Sequence, residues 1–122
     1  MKNLILGLIL VFPLLSRAED PGSILVNPSF SIDAEYALKK FLIKTMEKEV
    51  DSSLAIFKAD ITMGKYSETW AHFYDVNLVA IPREGDTVNC SGSSMLRLFE
   101  VDGEKVWEVV EEKFFLRCGS VN

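Results

Sequence analysis

Apolar and polar positions along the chain change period, and each change marks a new element. Between Ser31 and Val50, the residues Ala34, Leu38, Phe41, Leu42, Thr45, Met46 and Val50 recur at helical spacing, which predicts a helix with one buried stripe. Ser31 is placed to cap it, and Asp33 and Glu35 put negative charge in the first turn, where unpaired backbone N–H groups favour it. The other side carries Lys39, Lys40, Lys44, Glu47 and Lys48. Of these, Lys40, Lys44 and Lys48 form a basic ridge that reads as a solvated face.

From Ser53 onward the period is two. Phe57, Ala59, Ile61 and Met63 alternate with Ile56, Lys58, Asp60 and Thr62, predicting a strand with one face buried. Gly64 to Glu68 reads as a turn. Trp70, His72, Tyr74, Val76 and Leu78 then share one face of a strand running from Thr69 to Ile81, which completes a hairpin. Pro82 to Ser94 reads as a polar loop, and Met95 to Val101 and Lys105 to Cys118 flank Asp102-Gly103, the dipeptide of a tight hairpin turn. The faces of the last strand slip at Glu111 and Glu112. A bulge there would turn Val109 or Val110, and then Phe114 or Leu116, inward. Ahead of the helix, Ile24-Leu25-Val26, closed by Asn27-Pro28, predicts a short first strand. The expected fold class is α+β, with one N-terminal amphipathic helix packed on a four- to five-stranded antiparallel sheet.

Residues 1–18 add an address. Lys2 gives a basic start, Leu4 to Leu15 is apolar, and Ser16-Arg17-Ala18 offers small residues at a cleavage site, the pattern of a secretory signal peptide. Residues 19–122 are then a single domain in a secreted or periplasmic protein. The apolar run is short for a bilayer span, so no stable membrane anchor is expected. The formal net charge of the whole chain is −5, and losing Lys2 and Arg17 with the leader makes it more negative still. That balance disfavours a nucleic-acid partner and suits solubility or a basic protein partner. Cys90 and Cys118 are the only cysteines, and in an exported chain such a pair predicts one structural disulfide.

Catalytic and cofactor readings find little footing. His72 is the only imidazole, and without a Cys-x-x-Cys pair no metal, redox or other cofactor site is expected. His72 shares its face with Trp70, Tyr74 and Val76, which reads as a satisfied strand position and not an exposed base. Ser91, Ser93 and Ser94 lack a nucleophile elbow. Glu111 and Glu112 are adjacent and Glu100 and Asp102 flank a turn, so neither pair suggests an acid and base. The chain is expected not to be an enzyme. Asn89-Cys90-Ser91 fits a glycosylation sequon, which counts only in a eukaryotic secretory pathway, and the cysteine at its middle position already has a better use as a disulfide partner.

In layout, Gly22 to Cys118 resembles a cystatin: one helix, an antiparallel sheet and a cysteine close to the C-terminus. Asp60-Ile61-Thr62-Met63-Gly64 lies where cystatins carry a Gln-x-Val-x-Gly first-hairpin loop, with Asp60 and Thr62 in place of the glutamine and valine. Phe73 to Leu78 resembles the strand that follows. Cystatins also use a Pro-Trp second loop, whereas here Trp107 follows Val106 and sits beyond the Asp102-Gly103 turn; the family's N-terminal glycine would correspond to Gly22. The resemblance implies a wedge of two hairpin loops and the N-terminal segment that blocks a protease cleft. Its binding residues would be Gly22, Gly64, Lys65, Tyr66 and Trp107. Gly64 also reads as a plain turn residue and Trp107 as sheet packing.

The expected function is thus a non-catalytic exported binding protein, inhibitor-like, with a peptidase as its protein partner. The alternative is a periplasmic immunity or accessory protein that binds a toxin or secretion component through carboxylates such as Glu84, Asp86 and Glu104. A third reading, a cone-shaped ligand-holding domain, lacks an extra helix and a polar pocket cluster.

Overall fold

The computed structural model describes residues 22–29 and 31–120. The expected signal peptide lies outside these residues. In chain order they form strand β1 (Gly22–Asn27), helix α1 (Ile32–Val50), strands β2 (Leu54–Met63), β3 (Ala71–Pro82), β4 (Val88–Val101) and β5 (Glu104–Val109), a 3-10 turn (Glu111–Lys113), and strand β6 (Phe115–Ser120).

α1 follows its sequence closely. Ser31 is extended and its hydroxyl accepts from the Ala34 N–H at 3.2 Å, satisfying one of the orphan donors of the first turn. At the other end Asp51 enters the left-handed region (φ 53°), and its N–H donates to the Glu47 carbonyl. Ala34, Leu38, Leu42 and Met46 are fully buried. Phe41, Thr45 and Val50 flank them half-buried.

The sheet differs from the expected one in kind. It has six strands and is mixed: β1 pairs β2 in parallel, from Gly22 opposite Phe57 to Asn27 opposite Thr62. A strand, a long helix and a second strand form a crossover unit, and the helix carries the chain back so that both strands run the same way. The expectation of a helix on an all-antiparallel sheet of four or five strands is therefore wrong. The remaining pairings are antiparallel, in the order β1-β2-β3-β4-β5 with β6 also on β4. α1 touches both β1 and β5, the two ends of that order, so the sheet curls around the helix. The enclosed core includes Phe57, Ile61, Tyr74, Val76, Leu78 and Leu96.

β4 corrects a second expectation, because the stretch read as loop is strand from Val88 onward. Its first half faces inward through Cys90, Gly92 and Ser94, small residues that leave no hydrophobic alternation to see. β5 and β6 both line the far edge of β4, Leu96–Val101 pairing with β5 and Val88–Ser93 with β6. Where a bulge in one continuous strand was expected, a 3-10 turn breaks the stretch into two strands, closed by Phe114 N–H donating to the Glu111 carbonyl at 3.1 Å. It turns Val109, Phe114 and Leu116 onto the core, and Phe114 meets Phe41 edge to face with centroids 4.9 Å apart. Cys90 and Cys118 are opposite each other in the β4–β6 ladder and form a disulfide. Closing a loop of 28 residues is worth about 3–4 kcal/mol in the chain-entropy account. Asp102 and Gly103 both have positive φ, as a two-residue hairpin turn of this hand requires.

Candidate functional site

β2 and β4 end where β3, β5 and α1 begin, so one end of the curled sheet collects the Gly64–Trp70 loop, the Asp102-Gly103 hairpin and the start of the helix. The Gly64–Trp70 loop is tied down by its own backbone. Gly64 N–H donates to the Phe73 carbonyl at 2.6 Å, Ser67 Oγ accepts from Phe73 N–H at 2.9 Å, and Glu68 and Ala71 exchange bonds at 2.6 and 3.3 Å. Leu98 N–H donates to the Trp70 carbonyl at 2.9 Å and fixes the loop to β4.

This anchored loop exposes aromatic surface. Tyr66 is 74% and Trp70 52% exposed, with the Lys65 ammonium 5.2 Å from the Tyr66 ring. The Arg97 guanidinium lies 5.7 Å from the Trp70 ring and 5.5 Å from Phe99. Cations over ring faces are favourable and hold both side chains in place. Trp70 was expected on the inner face of β3. It instead precedes that strand, because the loop extends to it.

Beside the loop runs a groove of about 550 Å³, lined by Ser31, Ser67, Glu68, Thr69, His72 and Trp107. Trp107 pairs with Leu98 in the β4–β5 ladder, half-buried against the core, and is not at the hairpin tip. Its ring lies 4.4 Å from that of His72, which is 3% exposed and has Nδ1 2.7 Å from the Tyr74 hydroxyl. Burial holds His72 below its ordinary pKa although nearby Glu35 pulls the other way. Burial, reinforced by Glu35, raises that of Tyr74. At neutral pH the imidazole is uncharged and the phenol keeps its proton. Glu35 in turn accepts from Ser29 Oγ at 2.6 Å. These inner polar groups brace the groove. Glu68 and Thr69, both exposed, line it on the loop side.

The structure brings Gly64, Lys65, Tyr66 and Trp107 to this end. Gly22 is not among them. It pairs with Phe57, so roughly 20 Å of strand separates it from Gly64 at about 3.3 Å per residue. Parallel pairing of β1 is the cause, and it excludes a single edge built from both glycines. Gly22 has a packing reason instead, since a Cβ there would lie 2.7 Å from Phe57 Cδ2. Gly64 needs no positive φ, and a Cβ would meet Phe73 Cβ at 3.4 Å. Sequence reasoning left Trp70, Arg97 and Phe99 out of the site. Trp70 lies two residues past the turn read at Gly64 to Glu68, and its apparent phase with His72 and Tyr74 assigned it to the strand.

At the opposite end Glu49, Glu84 and Asp86 rim a second hollow of about 280 Å³ beside Cys118. Glu104 is across the molecule, next to the Asp102-Gly103 turn. Among the described residues no group of three or more His, Cys, Asp or Glu side chains is placed to hold a metal ion. No described helix is long and apolar enough to cross a membrane. No protein-family model, curated protein or solved structure matches the chain.

Proposed function

We propose that this chain is an exported, non-catalytic binding protein that engages a protein partner with the hairpin end of its sheet. The observation that carries the reading is a loop pinned at Gly64, Ser67 and Glu68 that holds Tyr66 and Trp70 out to solvent beside a groove floored by Trp107. Large aromatics on pre-ordered backbone are what an interface centre uses, because they bury area at little entropic cost. The buried state of His72 supports a structural role for the one imidazole. The disulfide supports an oxidising compartment, in line with the leader-like residues 1–18.

An inhibitor of this kind blocks a peptidase cleft with two loops, the Gly64–Trp70 segment and the Asp102-Gly103 hairpin, and without the Gly22 segment. Titration of the oxidised domain against papain-like and other peptidases tests it. Stoichiometric inhibition that weakens in Tyr66→Ala and Trp70→Ala supports the reading, and no inhibition across the panel removes the peptidase as partner. The immunity or accessory reading is favoured by Glu49, Glu84 and Asp86, which gather at the opposite end. It requires an association rate that falls steeply with salt, and a rate indifferent to ionic strength removes it.

A further inference from the structure

Asn89-Cys90-Ser91 matches the Asn-x-Ser acceptor pattern for N-linked sugar, while Cys90 is half of the disulfide. Successive residues of a strand point to opposite faces, and β4 uses this to separate the two roles. Cys90 is buried on the concave side, its sulfur 3.6 Å from Met46 Sδ, whereas Asn89 and Ser91 are exposed on the convex side. Space around Asn89 follows from its cross-strand neighbours. On β6 it faces Gly119, where even an added Cβ would meet nothing within 4 Å, and on β3 it faces Val79. With Lys58, Asp60, Asn77 and Arg117 among its neighbours, Asn89 lines a shallow depression of about 470 Å³. The other Asn-x-Ser in the chain, Asn27-Pro28-Ser29, is blocked by its proline.

We infer that Asn89 is an acceptor for an N-linked oligosaccharide, which the folded domain carries on the convex face of its sheet. The co-reactant is a lipid-linked oligosaccharide diphosphate. The anomeric carbon of its first sugar forms a C–N bond to Asn89 Nδ2 as its bond to the phosphate oxygen breaks. The lipid diphosphate leaves with the electron pair, and the amide nitrogen loses one proton. Ser91, two residues on, completes the recognition pattern. β4 is paired on both sides at Asn89, so the transfer takes place on the extended chain before β4 is locked into the sheet. At that stage Cys90 is still a thiol, because Cys118 lies 28 residues later and emerges afterwards. The inference rests on export but not on the proposed partner, since the sugar would sit away from Tyr66 and Trp70.

The test is expression of the full chain from Met1 in eukaryotic cells with an intact secretory pathway, alongside Asn89→Gln and Ser91→Ala. The expected result is a secreted protein that drops once in mass on treatment with peptide-N-glycosidase and keeps aspartate at position 89. Neither variant shows the drop, and Ser91→Thr retains it. A secreted, disulfide-closed chain with no drop overturns the inference, as does a drop that persists in Asn89→Gln. A chain that is never exported overturns it as well, because its sequon meets no lipid-linked donor.

Discussion

The rings of His72 and Trp107 lie 4.4 Å apart and inclined by 35°, so the inner wall of the groove and its floor are one packed unit. They come from β3 and β5, two strands separated by β4, and His72 is fixed from behind by the Tyr74 hydroxyl. A surface built this way is shaped before any partner arrives, which lowers the ordering cost of binding. It also couples the groove to the stability of the fold.

Trp107→Ala should therefore destabilise the domain, by about 2–3 kcal/mol. Truncation of a fully buried large aromatic costs about 3–5 kcal/mol, and Trp107 is half-buried. Trp107→Phe keeps a ring over His72 and should lose less than half as much. Urea unfolding measures both, and equal losses would show that the ring contact contributes nothing.

His72 should make stability depend on pH. Its folded pKa is lowered from the ordinary 6.5 by burial, so between that value and the folded one the unfolded chain holds more protons. Its contribution is complete above about pH 6.5 and is lost as pH falls from there to the lowered folded value. The urea midpoint of the native protein should fall more between pH 7.5 and 5.5 than that of His72→Gln. Matching slopes in the two proteins would assign the acid sensitivity to other groups.

Gly92 should tolerate no side chain. A Cβ there would collide with the carbonyl oxygen of Phe115 and approach Leu116 Cα to 2.9 Å, both backbone atoms of β6 that cannot move aside without breaking the ladder. Gly92→Ala should cost about 3 kcal/mol or more, at the upper end of overpacking effects. Gly64→Ala meets only ordinary contacts and should stay within about 1 kcal/mol. Thermal unfolding of the pair distinguishes a glycine that packs from one that merely turns.

Such close approach also explains what the sequence conceals. α1, β2 and β3 are legible because their inward positions are large and apolar, from Leu38 and Leu42 to Phe57, Ile61 and Val76. The inward positions of early β4 are Cys90, Gly92 and Ser94, chosen for closeness and for the disulfide, so hydrophobicity carries no signal there. The direction of β1 is a property of the crossover through α1, and Ile24-Leu25-Val26 looks the same either way. That direction decides whether Gly22 can join the site. For the site itself, Gly64, Lys65 and Tyr66 were visible as turn residues beside an aromatic. Trp107 owes its place to its register opposite Leu98, and the contribution of Arg97 to its stacking on Trp70 and Phe99, neither of which local pattern reveals.

Tyr66 and Trp70 should separate binding from folding. Tyr66 has most of its surface in solvent and its neighbour Lys65 is also exposed, so Tyr66→Ala should change stability by no more than about 0.5 kcal/mol. Trp70→Ala loses a stacking partner for Arg97 and should cost about 1 kcal/mol. As aromatic anchors of an interface, each should cost about 2 kcal/mol or more in affinity, roughly 30-fold in Kd. Denaturation midpoints close to native combined with a large loss of inhibition or partner binding is the expected signature. Trp107→Ala would show both losses together, because it removes the floor of the groove and part of the core at once. Full affinity in Tyr66→Ala and Trp70→Ala would place the interface elsewhere on the sheet.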